Sequence, residues 1–228
     1  MAEHDVGSVL AAGRSQFMGI ELAVAPGALV PREETELIGR AAVDVLAALG
    51  SPSPRVVDMC CGAGNLACAI AMHVPSARVW ASDITDACVE LSRRNVARLG
   101  LQDRVSVHQG DLFASLAGLE LERTIDVIVC NPPYISTGRL AADRAELLAS
   151  EPREAFDGGP YGLSIHQRVV KEAKPFLRAG GWLMFEFGLG QERQIELLFA
   201  RSRSYSGFEL RADPASRPRV ALARMQPA

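Results

Sequence analysis

The sequence has no long apolar run: the longest, Leu66 to Met72, falls far short of the roughly 20 residues a membrane-spanning helix needs. Its first residues, Met-Ala-Glu-His-Asp, offer neither the basic start nor the apolar stretch of a signal peptide. Positive charge is not in excess. Lys and Arg total 24 against 27 Asp and Glu, a net charge of −3, which argues against a mainly electrostatic nucleic-acid binder. No paired CxxC accompanies a histidine. The five cysteines (Cys60, Cys61, Cys68, Cys88 and Cys130) are odd in number and read as reduced, mostly buried thiols, and the four histidines are scattered, so no metal site is expected. Internal repeats, low-complexity tracts and linkers are missing too. What remains is a chain of 228 residues, 48% apolar and 22% charged, the balance of a globular protein with a sizeable core. A cytoplasmic protein without a membrane partner is expected.

Residues 1–16 show no clear period and read as a loose end or a fragment of helix. Ile20–Val24 and Leu29–Pro31, separated by Ala25-Pro26-Gly27, read as a short hairpin. Glu33 to Leu49 has helical apolar spacing with acids in its first turn, and Gly50 and Pro52 stop it. From Arg55 onward strands and helices alternate. Strands are predicted at 56–60, 78–83, 105–109, 125–130 and 182–187, with a closing pair at 208–211 and 219–223. Helices are predicted at 65–73, 86–99, 164–177 (interrupted near Pro175) and 191–201, and a loop-rich stretch runs from Asn131 to about Gly162. Alternation at this spacing implies right-handed crossovers and a parallel sheet covered on both faces, an α/β fold. The predicted division is 1–50, an N-terminal extension with hairpin and helix, and 51–228, the ligand-binding domain.

Ligands in open α/β sheets gather at the carboxyl ends of the strands, where strand order reverses. The first predicted strand of that sheet ends in Cys60-Cys61-Gly62-Ala63-Gly64, where glycines permit close approach and the next helix offers free N–H groups. Asp83 ends the second strand, placed to take both hydroxyls of a ribose; an ordinary helix cap is the competing reading. With Asp58 and Asp111 it would make an acidic row at the strand ends. Such a rim disfavours pyrophosphate and suits a cationic ligand, so S-adenosylmethionine is preferred over NAD.

The fourth strand runs into Asn131-Pro132-Pro133-Tyr134. Two prolines make a stiff loop, extended at Asn131. Asn131 Oδ1 and the Pro132 carbonyl can accept two N–H bonds from an NH2 group, and Tyr134 can stack on the planar group that carries it. These are the needs of an enzyme that aims an amide or aromatic amine nitrogen at a methyl donor. Hydride transfer has no use for two such acceptors, which speaks against a dinucleotide oxidoreductase, and the intact tetrapeptide speaks against an inactive partner subunit. Glu186 reads equally as a buried hydrogen-bonded carboxylate or a site residue. The arginines at 201, 203, 211, 217, 219 and 224 read as scattered surface charge rather than a basic patch.

The tetrapeptide after an apolar strand resembles the signature of amino methyltransferases. Four segments together resemble the release-factor N5-glutamine methyltransferase family: Val30-Pro31-Arg32-Glu33-Glu34-Thr35-Glu36-Leu37, the Asp58–Gly64 loop, the tetrapeptide, and Glu151-Pro152 with Asp157-Gly158-Gly159-Pro160-Tyr161-Gly162-Leu163. Gly181–Gly188 and Arg219–Arg224 sit where that family has its last strands, and the likeness spans about residues 17–225. It implies a Rossmann-like class I methyltransferase fold with a seven-stranded, mostly parallel sheet whose last strand is antiparallel. It implies S-adenosylmethionine across Cys60–Gly64, its ribose on Asp83 and its adenine near Asp111 and Leu112. Asn131 would touch both cofactor and substrate, and Asn131, Pro132, Pro133 and Tyr134 would hold a glutamine side chain of a peptide chain release factor. An exocyclic nucleobase amine or a small-molecule nitrogen is the alternative acceptor. The sequence departs from the family in having Cys60 where glycine is usual. It also has only residues 1–16 ahead of the hairpin, where the family carries a helical docking domain.

Overall fold

Met18 and Gly19 reverse the chain with φ angles of 47° and 80°, the pair of positive values that matches the twist of a two-residue hairpin. In this computed structural model, which describes residues 6–142, 148 and 151–227, they join β1 (Arg14–Phe17) to β2 (Ile20–Ala23). The hairpin therefore lies one segment earlier than expected: 29–31 is not a strand, and 14–17 is. Methionine is rare at a turn position that favours Asn, Asp or Gly, which hid the signal. Helix α1 (Val6–Ala12) precedes the hairpin. A 3-10 turn at Glu33–Thr35 leads into α2 (Glu36–Leu49), which Gly50 ends in a left-handed conformation with φ of 59°.

The remaining elements are β3 (Arg55–Met59), α3 (Asn65–His73), β4 (Arg78–Asp83), α4 (Asp86–Arg98), β5 (Val105–Gln109), β6 (Ile125–Cys130), α5 (Thr137–Ala142), α6 (Ser164–Glu172), β7 (Leu177–Glu186), α7 (Glu192–Ser202), β8 (Tyr205–Ala212) and β9 (Pro218–Met225). The main sheet has the order β5-β4-β3-β6-β7-β9-β8. Strands β3 to β7 run parallel, and β9, the last in sequence, is antiparallel to both of its neighbours. Strand order reverses between β3 and β6, so the crevice of this fold opens where those two strands end.

Alternate residues of the central strands feed two cores, as a pleat of period two requires. Val56, Val127, Val129 and Met184 face α2, α3 and α4, packing with Ile38, Leu46, Ile70 and Val96; the hairpin's Phe17 and Leu22 join this layer. Val57, Ile128, Leu183 and Phe185 face α6, α7 and a 3-10 turn at Leu112–Leu116, meeting Leu116, Val169, Ile195 and Phe199. Burying a side chain of this kind stabilises by about 1.5–3 kcal/mol, enough to explain why β6 is apolar on both faces. Strand β7 starts at Leu177, earlier than the predicted 182, and carries a register shift against β6. Gly180 and Gly181, ahead of the predicted start, lie within the strand; a Cβ on Gly181 would sit 2.8 Å from the Ile125 carbonyl oxygen. Helix α6 correspondingly ends at Glu172, before Pro175.

Candidate active site

Met59 and Cys130 are register partners at the ends of β3 and β6, so the chain leaves both strands side by side into a cavity of about 440 Å³. Cys60, Cys61, Gly62, Asp83, Asp111, Leu112, Asn131 and Pro133 all line it. Eight of the residues singled out in the sequence thus meet around one space. Ala63, Gly64, Pro132 and Tyr134 do not line it. Ala63 is fully buried, with its carbonyl accepting from Asn95 Nδ2 at 2.9 Å. Gly64 begins α3 with φ of 75°, and a Cβ there would meet Ser92 Oγ at 2.9 Å, so this glycine serves helix packing. Cys60 itself takes a left-handed φ of 59°, where a side chain costs about 1–2 kcal/mol and glycine is free.

Asp83 accepts from the Gly62 amide at 2.9 Å and the Thr85 amide at 3.2 Å. Thr85, not Asp83, caps α4 through the Cys88 amide. The acidic row is shorter than expected. Asp58 is fully buried beneath the loop, where it accepts from the Ala67 amide at 2.9 Å and leaves Oδ1 without a partner. Burial pushes its carboxyl up to about 8, with the Ala67 amide pulling it back and the Asp83 charge adding to the rise. Asp111 is exposed and ion-paired with Arg168 at 2.8 Å.

Asn131 donates from Nδ2 to Thr35 Oγ1 at 3.1 Å, and Thr35 donates to Glu186 Oε2 at 2.7 Å. Glu186 Oε1 accepts from Tyr134 Oη at 3.0 Å and from Arg219 Nη2 at 3.2 Å; Arg219 also donates to Tyr134 Oη at 3.0 Å. Burial raises the Glu186 carboxyl, while Thr35, Arg219 and Tyr134 hold it down. The Arg219 guanidinium lies 5.8 Å from the centre of the Tyr134 ring. Arg219 is therefore not scattered surface charge, and Glu186 belongs to the site's framework. Sequence reading missed Thr35, Arg219 and Gln191 as site residues. Their contacts join residues distant along the chain, and only the Pro-Arg-x-x-Thr-Glu likeness hinted at the first.

The tetrapeptide is braced from behind. Gln191 Nε2 donates to the Tyr134 and Gly162 carbonyls at 3.1 and 3.2 Å, and its Oε1 accepts from the Gly188 amide. Asp157 accepts from Thr137 Oγ1 at 2.7 Å and pairs with Arg153, so this family-like segment ties the chain just past the tetrapeptide. Gly158 is required there: a Cβ would lie 2.7 Å from the Pro133 carbonyl. His166, which is fully buried, donates from Nε2 to the Glu186 carbonyl at 2.9 Å, and burial pushes its pKa down to about 4, so it stays neutral.

Against this geometry, the family described as "Methyltransferase small domain" matches residues 40–205. The release factor glutamine methyltransferase of Moorella thermoacetica is 37% identical over 211 residues, 92% of this chain and 72% of that protein. The 4-amino-L-phenylalanine/4-methylamino-L-phenylalanine methyltransferase of Streptomyces pristinaespiralis is 38% identical, over 85% of this chain and 65% of its own length. Among solved structures, the N-terminal domain of human METTL16 in complex with SAH has a TM-score of 0.69 at 17% identity, covering 98% of this chain and 84% of that one.

Proposed function

This chain belongs to the release factor glutamine methyltransferase family, and from that premise we propose that it moves a methyl group to the side-chain amide nitrogen of a glutamine in a peptide chain release factor. The methyl donor is S-adenosylmethionine. The carrying observation is that Asn131 and Pro133 share one cavity with Cys60–Gly62 and Asp83. Relatives named for release factors match at 33–37% identity over 92–93% of this chain, which favours a protein glutamine over a nucleobase or small-molecule amine.

The residues suit the donor. A cavity near 440 Å³ falls within the roughly 300–1,000 Å³ of small-molecule sites. The Gly62 position has open space in front of it, which leaves room for close approach to the backbone. Asp83 keeps lone pairs for a diol beyond its two amide bonds, and Leu112 and Ile84 offer apolar surface for a base. In our reading, Cys60, Cys61, Gly62, Asp83, Asp111, Leu112 and Asn131 bind the donor, with Ala63 and Gly64 shaping the loop. Residues 1–50 act as an extension that contributes Leu29, Pro31, Arg32 and Thr35 to the cavity, and 51–228 as the methyltransferase domain. Activity on a translation factor sets the reaction in the cytoplasm, and among the described residues no helix is long and apolar enough to cross a membrane.

When bound, the donor supplies an electrophilic methyl group on sulfur. An amide nitrogen is a poor nucleophile, because its lone pair is delocalised into the carbonyl. Asn131 Oδ1 on the cavity wall would accept one N–H of the acceptor and the backbone carbonyl of Pro132, which links the lining residues Asn131 and Pro133, would accept the other, turning the nitrogen lone pair toward the methyl. Alignment of this kind is worth on the order of 7–11 kcal/mol. Burial raises the Cys61 and Cys130 thiols and keeps them protonated, so neither serves as a base. The test is transfer of labelled methyl onto a purified release factor, with the glutamine of its Gly-Gly-Gln replaced in the control and 4-amino-phenylalanine as a rival acceptor. Label on the normal factor alone is expected. Label on the control or on the amino acid instead overturns the assignment.

A further inference from the structure

We propose that Thr35 and Glu186 are positioning residues that lock the Asn131 amide with its oxygen toward the methyl acceptor, so that the site admits an NH2 group and refuses acceptors without two N–H bonds to give. The inference rests on the reading of Asn131 above and extends it to the residues that decide which end of that amide meets the substrate.

Three residues from three separate parts of the chain share a fixed number of protons. Glu186 stands at the end of β7, Thr35 in the 3-10 turn before α2, and Asn131 just past β6. Thr35 is 2% exposed and Glu186 1%, so water does not complete their bonding. Thr35, Tyr134 and Arg219 all bring donors to the Glu186 carboxyl. Three converging donors and a guanidinium counter-charge are the surroundings of an ionised, acceptor-only carboxylate. A hydroxyl has one proton. Thr35 spends it on Glu186 at 2.7 Å, which leaves only lone pairs facing Asn131 at 3.1 Å. Asn131 must then present N–H to Thr35; turned the other way, its oxygen would face an oxygen with no proton between them. Oδ1 is thereby directed away from Thr35, and Asn131 forms part of the cavity wall.

The same count says what Glu186→Gln would do. Arg219 and Tyr134 donate at the Oε1 position and demand the carboxamide oxygen there, so the new NH2 would face Thr35. Thr35 would accept from it and turn its proton to Asn131, which would flip and show NH2 to the substrate.

The test measures kcat on the purified release factor, S-adenosylhomocysteine affinity by calorimetry, and thermal melting for wild type, Thr35→Val, Thr35→Ser, Glu186→Gln, the Thr35→Val/Glu186→Gln double variant and Asn131→Ala. Thr35→Val and Glu186→Gln should each lower kcat by about 10- to 100-fold, the effect of one misdirected buried hydrogen bond, with affinity for S-adenosylhomocysteine changed far less than turnover because Cys60–Gly62 and Asp83 still hold it. Thr35→Ser, which keeps the hydroxyl, should restore turnover. The double variant should be no slower than the worse single one, since both act through Asn131. Additive losses, a valine variant with full turnover, or a serine variant as slow as the valine one would overturn the proposal. Asn131→Ala separates the two levels. A loss of about 10²–10³ in kcat supports the parent reading, and if Thr35→Val is then harmless, only the orientation idea falls. Full activity of Asn131→Ala removes both.

Discussion

Glu151 accepts a hydrogen bond from the Val30 amide at 2.8 Å and is ion-paired with Arg32, tying two segments 121 residues apart across the cavity. Arg32 and Pro152, next to Glu151, both line that cavity. The side chain of Glu151 is 1% exposed and that of Arg32 24%, so the pair is largely out of water. Removing the cation strands a buried carboxylate. Arg32→Met should cost about 2–3 kcal/mol, below the roughly 3–5 of a fully buried pair, and Glu151→Gln less, because its oxygen still serves Val30. Urea unfolding checks both; equal stability of wild type and Arg32→Met would mean the contact is idle.

Asp83 is engaged by two backbone amides yet faces the cavity. Asp83→Ala should weaken binding of S-adenosylhomocysteine by about 10- to 100-fold, the worth of a hydrogen bond to a charged group. Calorimetry measures this directly, and an unaltered dissociation constant would take the ribose away from Asp83.

Cys60 occupies a left-handed conformation that favours glycine. Cys60→Gly removes steric cost in the native state and adds entropy to the unfolded one, and the two nearly offset. The net effect should be neutral to about 1 kcal/mol stabilising. A clear destabilisation on melting would show that the thiol packs in a way its backbone cost conceals.

Asp58 gives a pH signature. Unfolded, it ionises near 3.8; folded, burial raises it to about 8. Across that window the native state holds a proton that the unfolded chain has lost, so this residue lowers stability progressively as pH rises from about 4 to about 8. Asp58→Asn keeps an acceptor for the Ala67 amide and abolishes the titration. Its advantage over wild type in unfolding free energy should grow between about pH 5 and pH 8. A difference that stays constant with pH would refute the burial argument.

The strands at 78–83, 105–109 and 125–130 and the helix at 65–73 stand where hydrophobic pattern placed them, because local periodicity and two-sided burial act on neighbouring residues. The ends of β3 and β6, hence Cys60–Gly62, Asp83 and Asn131 around one crevice, followed from strand alternation and the rule of strand reversal. Local pattern failed where the backbone took rare angles, at Met18-Gly19, and where glycines continued a strand, at Gly180-Gly181.

The position of Asn131 and Pro133 at the crevice was legible in one dimension, because they directly follow an apolar strand. The partners of those residues were not. Thr35, Glu186 and Arg219 lie 96, 52 and 85 positions from the groups they hold, and the Asp58 carboxylate was read onto the rim until packing put it underneath. A hydrogen bond depends on angstroms in space, and no periodicity along the chain encodes it. Composition and pattern therefore sufficed for the alternating strands and helices and for the crevice, while only folding brought Asn131 against Thr35.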